Sequence, residues 1–393
     1  MTITNTFKIK LHKWLILTVS WMVIGALISL YTFLATRTEM IAARENYRFM
    51  ASLLSGVGGG FFGGLIGGSV MIFVLQDRFK KKPFITKVLI NMGFVMVVIL
   101  MVNVILSFFF IMYSDDPELV RINSFERFWE RLFSYGHLLS QITWLTIVSV
   151  TTFVFSVADN YGPHVFLDMI LGRFHRPHEE QRIFMFVDIR SSTAIAEDLG
   201  HQRYFEFLQD FYADITDPVV NARGRIYQYV GDEVVITWDM AGGLRDNNCL
   251  RCFFDMQDVF RKLSDKYLHK FGLVPTFKAG LHYGKVTVGE VGVLKKDIIY
   301  TGDVLNTTSR IQNKCNWLDV DLLISQDLVS LIPVKALYHF ESLGKIDLRG
   351  KSSMVELMAI MPRLKVQRQL DAFPAGAVQV GNPQAKQADG APF

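Results

Sequence analysis

Four uncharged apolar runs limit what this chain can fold into: residues 14–35, 51–75, 88–113 and 138–157. None contains Asp, Glu, Lys or Arg, and each has the ~20 residues that a helix needs to cross a bilayer. In lipid a segment must satisfy its own backbone polar groups, so each run is read as a helix. Residues 1–158 are therefore expected to form an α-helical transmembrane domain of four helices. The whole chain agrees: 393 residues, half of them hydrophobic, exceed what one ordinary soluble domain holds.

Lys8, Lys10 and Lys13 precede the first run, whose apolar length exceeds a signal-peptide core and has no clear small-residue cleavage site after it. An uncleaved signal anchor is expected. The loop after the second run carries Arg78, Lys80, Lys81, Lys82 and Lys87, whereas the loop after the third carries Asp115, Asp116, Glu118, Glu126 and Glu130 against Arg121, Arg127 and Arg131. Positive charge stays inside, so both termini are placed in the cytoplasm, on an inner or plasma membrane. The second run holds Gly56, Gly58, Gly59, Gly60, Gly63, Gly64, Gly67 and Gly68, which reads as close helix packing. The formal net charge of +4 forms no basic stripe, so nucleic acid is excluded as a partner.

Past the fourth run the composition changes. Gly162, Pro163 and Pro177 punctuate residues 159–181, which read as a linker with an amphipathic coupling helix over 165–174. Strand-like and helix-like segments alternate over 182–361, enough for one α/β domain. Residues 362–393 have little periodicity and read as a disordered tail. Cys249, Cys252 and Cys315 are an odd set without a second Cys pair, so they are read as buried thiols in a reducing compartment.

Within that domain Asp188 ends an apolar, strand-like stretch and Asp232 follows Gly231 at a hairpin turn between 226–230 and 234–238. A carboxylate at the end of a buried strand needs a cation or a hydrogen-bond network, and two of them suggest a shared pair of divalent ions. Arg190, Ser191, Ser192 and Thr193 break the strand and supply a helix start. Asn306 and Arg310 stand at i and i+4, on one face of a helix.

Five ordered motifs over 182–359 resemble the catalytic domain of class III nucleotidyl cyclases, the adenylyl and guanylyl cyclases. They are Phe186-Val-Asp-Ile189, Tyr229-Val-Gly-Asp232, Lys278-Ala-Gly-Leu-His-Tyr-Gly284 as central strand and glycine turn, Gly302 to Arg310, and Leu348-Arg-Gly-Lys351. The resemblance implies an α+β sandwich that makes cyclic nucleotide and pyrophosphate from a nucleoside triphosphate, ATP being favoured. It implies two Mg²⁺ or Mn²⁺ per site on Asp188, Asp232 and the backbone carbonyl of Ile189. Asn306 would orient the ribose, Arg310 would stabilise the α-phosphoryl charge, and Arg349 and Lys351 would hold the outer phosphates. The site would form between two copies of the chain, as a homodimer.

Base choice departs from the adenylyl pattern, because Gln228 stands where a purine-contacting Lys is usual. Ile299 stands where its Asp or Thr partner is usual, with Thr301 two places later. A Gln amide donates and accepts, so it suits either purine edge and leaves GTP open. Two further readings stay beside the cyclase. A diguanylate cyclase is suggested by Gly-Asp-Glu but lacks the doubled glycine. The other is a four-helix membrane receptor or transporter carrying a catalytically dead dimerisation domain.

Overall fold

Each apolar run forms a helix: α1 Asn5–Ala43, α2 Phe49–Gly63, α3 Phe84–Met112 and α4 Tyr135–Tyr161. The computed structural model describes residues 5–43, 49–75, 78–79, 82–112, 129–130, 133–161, 168, 171–294, 296–347 and 354–362. Three segments are long and apolar enough to cross a membrane: Lys10–Ala35, Gly56–Leu75 and Gln141–Ala158. In α3 the apolar stretch among the described residues is the shorter Ile85–Val98. Helix α3 itself runs on to Met112, partly through residues whose side chains lie outside the described ones. The expected count of four spans thus stands at three on these residues.

The chain divides into two compact units, Met1–Arg173 and Phe174–Phe393. In the first, the glycines of α2 do what their density suggests. A Cβ on Gly56 would stand 2.6 Å from the Gly25 carbonyl oxygen, and one on Gly60 2.5 Å from that of Trp21. One on Gly64 would stand 2.7 Å from Thr18, so this every-fourth-residue stripe lets α1 and α2 touch backbone to backbone. Beyond it α2 continues through π-helical turns, Gly64–Gly68 and Met71–Leu75. Trp14 Nε1 donates to the Gly64 carbonyl at 3.1 Å, and Trp21 Nε1 donates to Thr151 Oγ1 of α4 at 3.1 Å.

The second unit is built on β1, His178–Ile189. It starts inside the stretch read as linker, because Glu179, Glu180 and Gln181 alternate polar residues yet already pair with Thr287, Val286 and Lys285. The other strands are β2 Arg225–Val230, β3 Glu233–Asp239, β4 Phe277–Val291, β5 Asp297–Thr301, β6 Leu322–Ser325, β7 Tyr338–Ile346 and β8 Val355–Pro362. Their order is β2-β3-β1-β4-β6-β8-β7, with β5 paired to β4. All these pairings are antiparallel except β4 with β6. Most of the stretch read as a coupling helix, 165–174, lies outside the described residues, and 171–174 is turn. Of residues 362–393, read as a tail, Pro362 instead closes β8 by pairing with Tyr338, and 363–393 lie outside the described residues.

Helices cover both faces of the sheet, which is why β1 is apolar without a break from Ile183 to Val187. Ile183, Met185, Val187 and Ile189 enter a core with α5 (Ser192–Asn221), α6 (Asn248–Lys262) and α7 (Ser264–Phe271). Phe184 and Phe186 point the other way and join Val235, Val286 and Val304, the last from α8 (Asp303–Leu318). Cys249, Cys252 and Cys315 are buried and free, and burial pushes the Cys249 thiol up to about 12, as suits core residues.

Helix α8 seats directly on β4. A Cβ on Gly280 would run into the Gln312 backbone nitrogen and stand 2.8 Å from Gln312 Cα and from the Thr308 carbonyl oxygen. Gly284, expected to make a turn, instead lies within β4 and faces the Val304 side chain. Its missing side chain serves helix–sheet contact, not chain reversal. Gly280→Ala is therefore expected to lift α8 and cost about 1–3 kcal/mol. Denaturant unfolding of the purified protein against the wild type checks this.

Candidate active site

Three ionisable side chains form a row across one end of the sheet. Asp188 pairs in register with Glu233 of β3 on one side and Lys278 of β4 on the other. Residues directly opposite share a face, here the one that carries Phe184, Phe186 and α8. Lys278 is buried, and its Nζ lies 3.1 Å from Asp188 Oδ2. The same oxygen accepts from Gln312 Nε2 of α8 at 3.1 Å.

Asp232 reaches this row from the two-residue hairpin between β2 and β3. Gly231 has φ +63°, which suits the first central place of a type II′ turn and leaves Asp232 at the tip. Tyr212 of α5 donates its hydroxyl to the Gly231 carbonyl at 2.7 Å, and its ring packs 4.4 Å from that of Tyr229. Burial raises the Asp188 carboxyl above the usual carboxylate range, Lys278 opposes the rise, and Asp232 adds to it. Burial, then Asp188 and Asp232, push Glu233 up to about 7.

Gln228 owes its direction to a β-bulge. The register of β2 on β3 shifts between Ile226 and Gln228, so that Gln228 pairs with Val235. Tyr227 packs in the same cluster as Val235, so Tyr227 and Gln228 share the α8 face, against the period-2 alternation of a regular strand. The Tyr300 amide of β5 donates to the Tyr227 hydroxyl at 3.2 Å, which links the strand of Gln228 to the strand of Thr301. Thr301 closes β5, with its hydroxyl 3.4 Å from the Thr287 carbonyl.

On α8 the buried residues are Val304, Thr307, Thr308, Ile311, Gln312 and Cys315. Asn306 is exposed and Arg310 half-buried, so both sit on the side of α8 turned away from the sheet. The structure therefore gathers Asp188, Ile189 and Asp232 at one end of the sheet and leaves the Asn/Arg pair facing outward. Arg349 and Lys351 lie outside the described residues.

Glu233, Gln312, Tyr212 and the pairing of Lys278 were not expected from sequence. A signal existed for Lys278, since a lysine inside an apolar strand needs a buried carboxylate. None existed for Gln312, whose partner is 124 residues away.

No three His, Cys, Asp or Glu side chains come together as a metal site among the described residues. The fit for Mg²⁺ or Mn²⁺ rests on two carboxylates, whose mutual repulsion a divalent ion offsets. Such ions bind with one or two carboxylates, water and substrate phosphate oxygens making up the shell. Both Lys278 and Gln312 fall on Oδ2, so Oδ1 lies outside these two contacts.

Residues 175–360 match the family described as the adenylate and guanylate cyclase catalytic domain. "Adenylate cyclase 2" of Rhizobium meliloti is 35% identical over 208 residues, 53% of this chain and 57% of that protein. "Adenylate cyclase" of Anabaena cylindrica is 25% identical over 183 residues, 45% of this chain and 36% of that protein. The chain thus spans between about a third and three fifths of the length of these relatives. The adenylyl cyclase CyaB from P. aeruginosa superposes with a TM-score of 0.40 at 19% identity, covering 47% of this chain and 96% of that one.

Glu233 gives the metal-free protein a pH dependence of defined sign. Its folded value of about 7 exceeds the ordinary 4.5, so between these the folded chain keeps a proton that the unfolded chain has released. Stability therefore falls as pH rises through that window. Glu233→Gln is expected to flatten the fall, read as melting temperature against pH in the presence of EDTA.

Proposed function

We propose that the chain, whose residues 175–360 match the adenylate and guanylate cyclase catalytic domain, is a membrane-anchored adenylyl cyclase. It would convert ATP to cyclic AMP and pyrophosphate. The observation that carries the reading is the convergence of Asp188 and Asp232 beside the buried Lys278. The adenylate cyclase relatives support ATP as the substrate.

In this reading the substrate's 3′-hydroxyl gives up its proton to solvent, its oxygen attacks the α-phosphorus, the bond to the bridging oxygen breaks, and pyrophosphate leaves. Asp188, Asp232 and the Ile189 carbonyl would hold two Mg²⁺ or Mn²⁺. When bound, the ions lower the pKa of the hydroxyl and offset charge on the phosphates. Lys278 opposes the effect of burial on the Asp188 carboxyl and holds it at the strand end. Arg310 stabilises charge at the α-phosphoryl group, Asn306 one turn earlier orients the ribose, and Gln228 with Thr301 meets the purine. Arg349 and Lys351 hold the β- and γ-phosphates.

The outward Asn306 and Arg310 serve the carboxylates of a second copy, so the enzyme is a homodimer with two shared sites. Residues 1–158 anchor it, 159–181 couple the two units, and the catalytic domain faces the cytoplasm of an inner or plasma membrane.

The test is product formation by the full-length protein in detergent, given ATP or GTP with Mg²⁺ or Mn²⁺. Cyclic AMP from ATP is expected, and Arg310→Ala should lower kcat ~10²- to 10³-fold. Asp188→Ala mixed with Arg310→Ala should regain activity at one site per mixed dimer. Cyclic GMP from GTP alone would reassign the substrate. No product from folded, dimeric protein would favour a dead dimerisation domain, and mixtures that stay inactive while both parents dimerise would end the shared-site reading.

A further inference from the structure

Gln312 lies outside the ligand set, yet it is the side chain of α8 that touches a metal carboxylate. It is 1% exposed, and its amide nitrogen donates to Asp188 Oδ2 at 3.1 Å. Its backbone is clamped as well, since the Gln312 nitrogen and Cα fill the space that a side chain on Gly280 would need. Its backbone position is thus set by the seating of α8, and its side chain by the bond to Asp188.

The chemistry of an amide suits this place. Gln donates one hydrogen bond and brings no charge. A second cation there would add to Lys278 and compete with a divalent ion, and a carboxylate would repel Asp188. Lys278 and Gln312 converge on the same oxygen, so between them they fix the plane of the carboxylate and leave Oδ1 outside their contacts. We infer that Gln312 is a positioning residue for metal binding, which orients Asp188 and ties it to the helix that carries Asn306 and Arg310. Groups that orient a metal ligand in this way typically contribute 10- to 100-fold to metal affinity. The inference rests on the reading of Asp188 as a metal ligand.

The test measures Mn²⁺ uptake by the full-length protein in detergent, from the electron paramagnetic resonance signal of free Mn²⁺. It is made in the presence of 3′-deoxy-ATP, which lacks the attacking hydroxyl. Gln312→Met keeps the volume and removes the donor, and is expected to weaken uptake about 10-fold. Thr308→Val alters the same inward face, where the Thr308 hydroxyl donates to the Val304 carbonyl at 2.6 Å. It is expected to bind Mn²⁺ as the wild type does. If Gln312→Met does not fold, Gln312→Asn, too short to reach Asp188, is expected to show the same weakening.

Wild-type uptake that is lost in Asp188→Asn but kept in the Gln312 variant overturns this inference alone. Equal losses in Thr308→Val and Gln312→Met overturn it too, since they would mean a packing effect. A wild type that takes up no Mn²⁺ removes the metal reading and this inference together.

Discussion

The buried Lys278 and the partly buried Asp188 form an ion pair at the end of the two central strands, and the build of that end of the sheet follows from it. Removing Asp188 would leave the Lys278 charge buried and unpaired, which is the costly loss. The pair needs β1 and β4 in strict register, since a one-residue slip of either strand would put the two side chains on opposite faces. Register in turn decides that Glu233 lies across from Asp188, and that the bare backbone of Gly280 stands beside the row where α8 must come down. Helix seating, carboxylate orientation and the electrostatics of the hairpin tip are thus one packing problem.

The features readable from sequence are those coded by neighbouring residues. The unbroken apolar run around Phe184, the Gly231-Asp232 turn and the helix start after Arg190 are local, and each forms where its composition suggests. The start at Ser192 comes by a different route, for Ser191 adopts φ 55° and its side chain makes no capping bond. The β2 bulge was not legible, because two adjacent residues that share a face violate the alternation by which strands are recognised. The beginning of β1 was hidden for a similar reason, its polar residues reading as linker.

Gly284 shows another limit. A glycine in sequence signals either a turn or a close approach, and only the position of Val304 decides between them. Gln312 is less legible still, since an amide in a helix has many possible partners and Asp188 is distant in the chain. In the membrane unit glycine was more informative, because Gly56, Gly60 and Gly64 repeat with the period of a helix face. The π-helical turns beyond them are a backbone adjustment that composition does not encode.

Helix α8 belongs to two environments at once. Its inward side meets Asp188 of its own chain through Gln312, and its outward side carries Asn306 and Arg310. In the proposed homodimer each α8 is therefore a shared wall, with one surface in each catalytic centre. Because one helix carries both surfaces, any displacement of α8 at one centre would reach the other. Linkage then requires that occupancy of either centre alter the other's affinity by the same factor in both directions.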